Sequence, residues 1–383
     1  MKKTAIVSLF YRNNNYGAQL QAFALQRYLS NQNFDCEQLT FDFQEHSKCY
    51  WFIQNIKQSS GKEKVNAIII LIKNIVKQVL MPVTLYKIKK RKKQFEDFSK
   101  KVPHSSKIYN ESNIKESVSD YDTFICGSDC IWLDCSYTDT FTLAFVPEEK
   151  RKISYAASLG SEHLPEHWEE KYLDNVSKLH AVSVREKSIA DDLQKLLPEK
   201  KIYTVADPTL LLTAEQWSKY IPDERINGKY VFIYILSEDE NQQNEAIRFC
   251  KNNSITSLTF PNIHGFIHFD QKKYGDIKNY SADPFDFVNL IKNADVVITD
   301  SFHAVVFSIL FHKPFYALKR DVEKMFVGRV ENLLNDTGLL SQMKTTEEFK
   351  CISDIPVIDF TKADEAIKEK RNYSIEFLKG NLE

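Results

Sequence analysis

Asp295-Val-Val-Ile-Thr-Asp-Ser-Phe-His-Ala-Val-Val-Phe-Ser-Ile-Leu-Phe-His-Lys-Pro314 changes its periodicity once. Asp295 to Thr299 is a short apolar run, the mark of a strand buried on both faces. Polar residues turn the chain, and Phe302 to His312 then reads as a helix that is apolar almost all round until Lys313-Pro314 ends it. A buried helix thus leaves the carboxyl edge of a parallel sheet. Its first turn has free backbone N–H groups and the positive end of the helix dipole, both suited to phosphate or carboxylate. His303 stands in that turn. With an anion bound there it can act as a proton donor. Taken alone, it is equally a satisfied polar residue, with Asp300 or Ser301 merely capping the helix. His312 lies about 13 Å farther along the same helix and belongs to another site.

The same alternation repeats on both sides of this stretch. Tyr230 to Leu236, Ile255 to Phe260 and Phe315 to Leu318 read as strands, with helices near Asn241 to Asn252 and over Pro284 to Asn293. In the first half, Thr4 to Phe10, Cys36 to Phe41, Thr123 to Cys126, Ile153 to Ala157, Ala181 to Val184 and Ile202 to Val205 are strand-like. Ala18 to Leu29, Trp168 to Leu179 and Lys187 to Leu197 are helical between them. Strand–helix–strand order of this kind requires parallel strands. Thr209 to Asn227 shows little periodicity beyond one short helix near Glu215. The expected organisation is α/β, with a doubly wound, Rossmann-like domain over 1–207, a linker over 208–228 and a second such domain over 229–383 whose C-terminal helix packs back. Two domains of this type facing a cleft form the GT-B architecture, with ligands beyond the carboxyl ends of the strands.

Composition narrows the function. A chain of 383 residues exceeds a single core, and 43% apolar with 27% charged residues is a globular profile. A formal charge of -1 gives no overall attraction for nucleic acid. The opening Met-Lys-Lys-Thr-Ala-Ile-Val-Ser-Leu-Phe has too short an apolar run for a leader and reads as a first strand. No apolar run, Ala67 to Ile72 included, comes near the ~20 residues that span a bilayer. Seven cysteines, an odd number in a chain too large to need staples, point to reduced thiols and a cytoplasmic home.

Further candidates sit where this fold would place a site. Arg185 follows the strand Ala181 to Val184, and a guanidinium there can grip carboxylate or phosphate with two parallel hydrogen bonds, although a salt bridge to Glu186 accounts for it as well. The first loop carries Asn14, Tyr16 and Gln19 towards the cleft, and Gly127 to Trp132 carries Asp129 and Trp132. Tyr16 and Trp132 can stack on sugar rings, and Asp129 can take a proton from a hydroxyl. The plain alternatives are a core tryptophan and a turn-capping aspartate. No Gly-x-Gly-x-x-Gly or Walker sequence is present. Cys126, Cys130 and Cys135 lack a matching histidine pair, while His163 and His167 flank Pro165 as His264 and His268 flank Gly265. No metal or other cofactor is expected.

Thr299-Asp-Ser-Phe-His-Ala304 followed by Phe307-Ser-Ile-Leu-Phe-His-Lys-Pro-Phe315 resembles the C-terminal motif of the polysaccharide pyruvyl transferase family. Other blocks agree in order: Asn14-Asn-Tyr-Gly-Ala-Gln-Leu-Gln21, Gly127-Ser-Asp129 with Trp132, Ser154-Tyr-Ala-Ala-Ser-Leu-Gly160, Ser183-Val-Arg-Glu186 and Asp207-Pro-Thr-Leu-Leu211. The resemblance implies a GT-B-like fold, phosphoenolpyruvate as donor, and a hydroxyl pair of a surface glycan or its lipid-linked precursor as acceptor. The implied product is a pyruvate ketal, with phosphate released and no metal used. His303 would be the acid, Arg185 would hold the donor with Ser301 and Phe302 in the helix turn, and the N-terminal domain would face the acceptor. Some members carry an arginine two residues before the histidine, where this chain has Ser301. Arg329 is a substitute, a surface arginine being an equal description, and Lys319 is a weaker one. The rival in the same architecture is a glycosyltransferase using a nucleotide sugar, and a glycan-binding module without catalysis is a third reading.

Residues 62–101 hold twelve Lys or Arg against three acids. Val65, Ile68, Ile69, Ile72, Ile75, Val76, Val79 and Leu80 repeat at helical spacing, and Lys87-Ile-Lys-Lys-Arg-Lys-Lys93 follows. The segment reads either as helices packed on the N-terminal domain with a solvated basic face, or as an attachment to an anionic inner leaflet through Lys89, Lys90, Arg91 and Lys92.

Overall fold

The computed structural model describes residues 3–43, 82–133, 138–165, 168–223, 226–237, 239–261, 274–320 and 327–382. The apolar repeat from Val65 to Leu80, Cys135, His167, His264 and His268 lie outside these residues. The first half contains β1 (Lys3–Val7), α1 (Tyr16–Asn31), β2 (Asp35–Phe41), α2 (Pro82–Ser99), β3 (His104–Tyr109), β4 (Thr123–Cys126) and β5 (Arg151–Ser154). These strands form a parallel sheet in the order β3-β2-β1-β4-β5. Next come β6 (Val182–Val184), α3 (Lys187–Leu196) and β7 (Ile202–Thr204). The β6–β7 pair is also parallel, and bridges from Ile153 to Ala181 and from Ala157 to Val184 carry the order on from β5.

The second half contains β8 (Tyr230–Tyr234), α4 (Glu240–Asn252), β9 (Thr256–Thr259), β10 (Ile277–Lys278), α5 (Pro284–Asn293), β11 (Val296–Thr299), α6 (Phe302–Leu310), β12 (Phe315–Leu318), α7 (Val327–Asp336), β13 (Met343–Lys344) and α8 (Thr361–Leu382). Its sheet is parallel in the order β10-β9-β8-β11-β12-β13. Each sheet therefore reverses its winding beside its own first strand, between β1 and β4 and between β8 and β11. In doubly wound sheets a ligand crevice opens at that point. Helix α1 leaves β1 and α6 leaves β11, so the amino ends of both helices lie at switch points.

Some expected elements take a different form. The helix expected over Trp168 to Leu179 is instead a π-helical turn, Glu169–Leu173, followed by a single α-turn, Asp174–Ser177. Strand β3 reads His-Ser-Ser-Lys-Ile-Tyr and is largely solvent-facing, which is why no apolar run announced it. It is an edge strand, and edges tolerate polar sequence.

The interior does not stop at the domain boundary. Helix α1 is buried along most of its length, and one apolar cluster runs from Ile6, Phe10 and Tyr16 through Phe23 to Phe232, Phe260, Phe287 and Val305. Further clusters cover the outer faces of the two sheets. Tyr16 stacks on Phe287 of the other half with ring centroids 4.8 Å apart.

Two helices also cross between the halves. From α2, Phe98 packs on Phe285 of the second half and Phe95 on Tyr16 of α1, each pair 4.8 Å apart. Arg91 on the same face is 3% exposed and donates to the carbonyls of Pro261 (2.9 Å) and Asn279 (2.6 Å), just past β9 and β10. The basic run therefore does not present Arg91 to solvent, as its sequence context suggested; this one cation is a bolt between domains. In the other direction α8 returns to the first half. Ser374 Oγ accepts from the Ala206 amide (2.8 Å), Arg371 donates to the Leu210 carbonyl (2.5 Å), and Phe377 packs on Tyr203. His312 pairs with Asp364 of α8 at 2.9 Å, a structural contact away from His303. Among the described residues no helix is long and apolar enough to cross a membrane.

Removing Arg91 strips two carbonyls, one buried and one partly buried, of a charged donor. Arg91→Ala should lower unfolding stability by roughly 3 kcal/mol, whereas exposed Lys89→Ala should change it by less than about 0.5 kcal/mol. Urea denaturation of both variants checks this; equal midpoints would mean that Arg91 is not a bolt.

Candidate active site

The first loop is built to hold the amino end of α1 still. Asn15 Oδ1 accepts from the Ala18 amide (3.2 Å), capping the helix. Gln19 Nε2 donates to the Phe10 and Asn13 carbonyls, both at 2.8 Å. Gln21 Oε1 accepts from the Ser128 amide (3.0 Å) and so ties this loop to the one after β4. Three of the four expected acceptor contacts are thereby corrected. Tyr16 is buried in the shared core with its hydroxyl donating to the Ala282 carbonyl (3.1 Å). Gln19 is fully buried and serves the loop. Trp132 is fully buried, donates to the Phe141 carbonyl (3.0 Å) and lies beside Trp168. An aromatic side chain that follows a strand suits either a cleft or a core, and here the core holds both. Asn14 is half-buried in the same loop.

What α1 does present is Gly17. A Cβ at this position would fall 2.0 Å from His303 Nδ1, so only glycine lets the imidazole rest on the helix backbone. His303 is 7% exposed, and its Nε2 lies 3.5 Å from Asp207 Oδ2, longer than a good hydrogen bond. Asp207 is the hub of the cluster. Its Oδ2 accepts from Arg185 Nη1 (2.7 Å), and its Oδ1 accepts from the Thr209 amide (3.0 Å) and hydroxyl (2.7 Å). Burial opposes ionisation of Asp207, but His303, Arg185 and the Thr209 bonds outweigh it and hold the carboxyl well below the usual carboxylate range.

Arg185 Nε donates to Glu186 Oε1 (3.2 Å) and Nη2 to Ser158 Oγ (2.9 Å), with the guanidinium 4.7 Å above the Phe302 ring. Three of its five N–H groups are thus engaged. Asp129 lies farther off, its Oδ1 3.9 Å from Arg185 and 3.6 Å from Arg329. Arg329 also donates to Cys130 Sγ (3.3 Å). Burial pushes the Cys130 thiol up to about 11 despite that neighbour, which removes it as a nucleophile near neutral pH.

At the start of α6, Ser301 occupies the cap position without a side-chain cap bond. Asp300 does not cap either. Its carboxylate accepts from the Leu236 and Ser237 amides (2.6 and 2.7 Å) and from Arg320 (2.9 Å), joining the loops after β8 and β11. Lys319 is 3.6 Å from Glu331, outside this cluster. A cavity of about 310 Å³ between α3, α7 and α8 reaches Arg185, Asp207, Phe302 and Arg329, with His303 behind Phe302 and Asp207. A larger hollow of about 510 Å³ beside His180 and Tyr203 touches none of these residues. Sequence reading placed Arg185, Phe302, His303, Arg329 and Asp129 in a site without seeing Asp207 or Gly17 as parts of it. The signal for both lay in the motif blocks, but their roles depend on a partner from another element.

Comparison with known proteins places this geometry. No curated protein matches the chain. Among solved structures, UDP-GlcNAc 2-epimerase from Neisseria meningitidis bound to UDP-GlcNAc superposes with a TM-score of 0.51 at 13% identity, over 98% of this chain and 94% of that one. A putative UDP-N-acetylglucosamine 2-epimerase from Listeria monocytogenes gives 0.51 at 12%, over 98% and 91%, and the enzyme from Rickettsia bellii gives 0.50 at 10%, over 98% and 96%. Such identities speak for the fold alone, which is GT-B. The family model described as polysaccharide pyruvyl transferase matches residues 15–322, from the loop before α1 to just past β12, with Gly17, Arg185, Asp207 and His303 all inside it. On that match, spanning well over half of its length, the chain belongs to the polysaccharide pyruvyl transferase family.

Proposed function

We propose that the protein transfers the pyruvyl group of phosphoenolpyruvate to a hydroxyl pair of a glycan, free or lipid-linked, forming a ketal and releasing phosphate. The observation that carries this reading is the meeting of His303, Asp207, Arg185 and Phe302 beside a cavity, where the switch points of two sheets face each other. Arg185 offers its two remaining N–H groups to the donor, and the uncapped first turn of α6 offers backbone N–H groups to its phosphate or carboxylate. Arg329 fills the place of the arginine that Ser301 leaves missing. The ion pairs of Asp129 are long, so an anionic donor displaces that carboxylate from both guanidinium groups.

In the proposed reaction the imidazolium of His303 gives its Nε2 proton, which Asp207 leaves without a close hydrogen bond, to the methylene carbon of the donor, while the Asp207 carboxylate balances the charge. One acceptor hydroxyl attacks the cationic carbon and passes its proton to Asp129. The carbon–oxygen bond to phosphate breaks, Asp129 gives its proton to the departing phosphate, and the second hydroxyl closes the ketal while its proton returns to His303. The cavity is at the small end of the range for ligand sites, which suits a compact anion with one sugar unit beside it. Fixed positive groups and positioning supply most of the rate.

Mixing the protein with phosphoenolpyruvate and a glycan acceptor should release phosphate and add one pyruvyl ketal to the glycan by mass spectrometry; turnover of a nucleotide sugar instead would overturn the proposal. His303→Gln should lower kcat by about 100-fold or more, the usual worth of a general acid. Arg185→Lys should raise the KM for phosphoenolpyruvate by roughly 10-fold or more, since the charge stays but the planar fork is lost. Wild-type values for either variant would remove that residue from its role.

Gly17→Ala tests the contact between domains. Alanine favours a helix by about 1 kcal/mol over glycine, yet here it must displace His303. We expect lower activity and lower stability in Gly17→Ala, with stability recovered in Gly17→Ala/His303→Ala. A fully active Gly17→Ala enzyme would show that the imidazole does not work from this position.

A further inference from the structure

We infer that the outer face of α2 is a docking surface for an anionic lipid bilayer. The helix divides cleanly by side. Arg91, Phe95 and Phe98 recur at helical spacing on the inner face and are all buried. Tyr86, Lys89 and Lys93 lie about half a turn round from them, and Lys90 and Lys92 flank that stripe. All five are exposed, Tyr86 at 68%. The acids of the helix do not neutralise this face, because Asp97 is paired with Lys100 (2.8 Å) and Glu96 is a single charge. Lys87 lies over the Tyr280 ring and Lys101 pairs with Asp283, so these two cations belong to the domain contact. Four lysines concentrated round one exposed tyrosine are the composition that membrane interfaces select, with ammonium groups at anionic headgroups and an amphipathic ring at their level.

The position of the face gives the bilayer a use. Arg91 holds α2 against Pro261 and Asn279, just past the carboxyl ends of β9 and β10, and α6 with His303 leaves the carboxyl end of β11 on the same edge. Only β8 separates β9 from β11, so the Arg91 contacts and the start of α6 stand about 10 Å apart along the sheet edge, and the lysine face lies roughly a further 10 Å out, across the thickness of α2. A bilayer touching α2 would present lipid-borne glycans beside the site. That use rests on the proposed transferase activity; the docking itself does not.

The experiment is co-sedimentation of the full chain with vesicles of phosphatidylcholine alone or with about one-third phosphatidylglycerol, at low and high salt. Each lysine near such a leaflet contributes roughly fivefold, so the partition coefficient of Lys89→Gln/Lys90→Gln/Lys92→Gln/Lys93→Gln should fall by at least about 30-fold. Binding should require the anionic lipid and weaken at high salt. The variant keeps Arg91, and its unchanged urea midpoint would show that it folds. Equal partition of wild type and variant, binding to phosphatidylcholine alone, or capture by a soluble polyanion such as heparin without vesicle binding would each overturn the inference. A protein that binds vesicles but releases no phosphate from phosphoenolpyruvate would refute the transferase reading and leave this one standing.

Discussion

Asp207 is the group on which the arrangement depends. It is a buried carboxylate that follows β7 in the first half, yet it faces Arg185 from the end of β6 and His303 from helix α6 of the second half. Burying such charges is costly unless each is matched, and a buried guanidinium left without its carboxylate costs more than the pair is worth. The network therefore admits few alternatives. Arg185 must point at Asp207, Ser158 must bridge to Glu186, and the second domain must bring His303 to the same point. The carboxylate thus joins the shared apolar core and the Arg91 contacts in fixing how the two domains meet.

The surroundings reinforce that constraint. In an open cleft the facing loops would be wet; here α1 is inserted between the sheets and the apolar interior is continuous across them. The cost is access, because His303 is sealed while the cavity ends at Arg185 and Phe302. The rings of Phe302 and His303 are edge to face, 5.2 Å apart, and Phe302 lines the cavity where His303 does not.

Much of the fold was legible because parallel α/β sheets write themselves as apolar runs alternating with helical periods. The residues 295–314 showed a strand, a turn and a buried helix, and Pro284 to Asn293 matches its helix at both ends. That Arg185 and His303 come close to one carboxylate was in part legible, since Arg185 directly follows β6 and His303 stands in the first turn of the helix after β11. Tyr16 and Trp132 were misread because pattern gives the element and not the depth: an aromatic ring just beyond a strand reaches either solvent or the neighbouring domain. Asp207, Gly17 and Arg91 were missed for a different reason. Each acts through a partner far away in sequence, and a linear chain carries no mark of that pairing. Arg91 was hidden twice, since five neighbouring lysines made it look like one more surface charge.

Helix α8 has a consequence for how the molecule is made. Its Ser374, Arg371 and Phe377 satisfy groups around β7, the Ala206 amide and the Leu210 carbonyl, all of them parts of the first half. A ribosome adding about 5 to 20 residues per second needs on the order of ten seconds or more to travel from β7 to α8. During that interval the amino-terminal sheet waits on the ribosome with its last strand uncovered, and the whole second sheet is synthesised before the piece that covers it emerges. Translation speed and chaperone occupancy over that window therefore bear on the yield of the first domain as much as of the second.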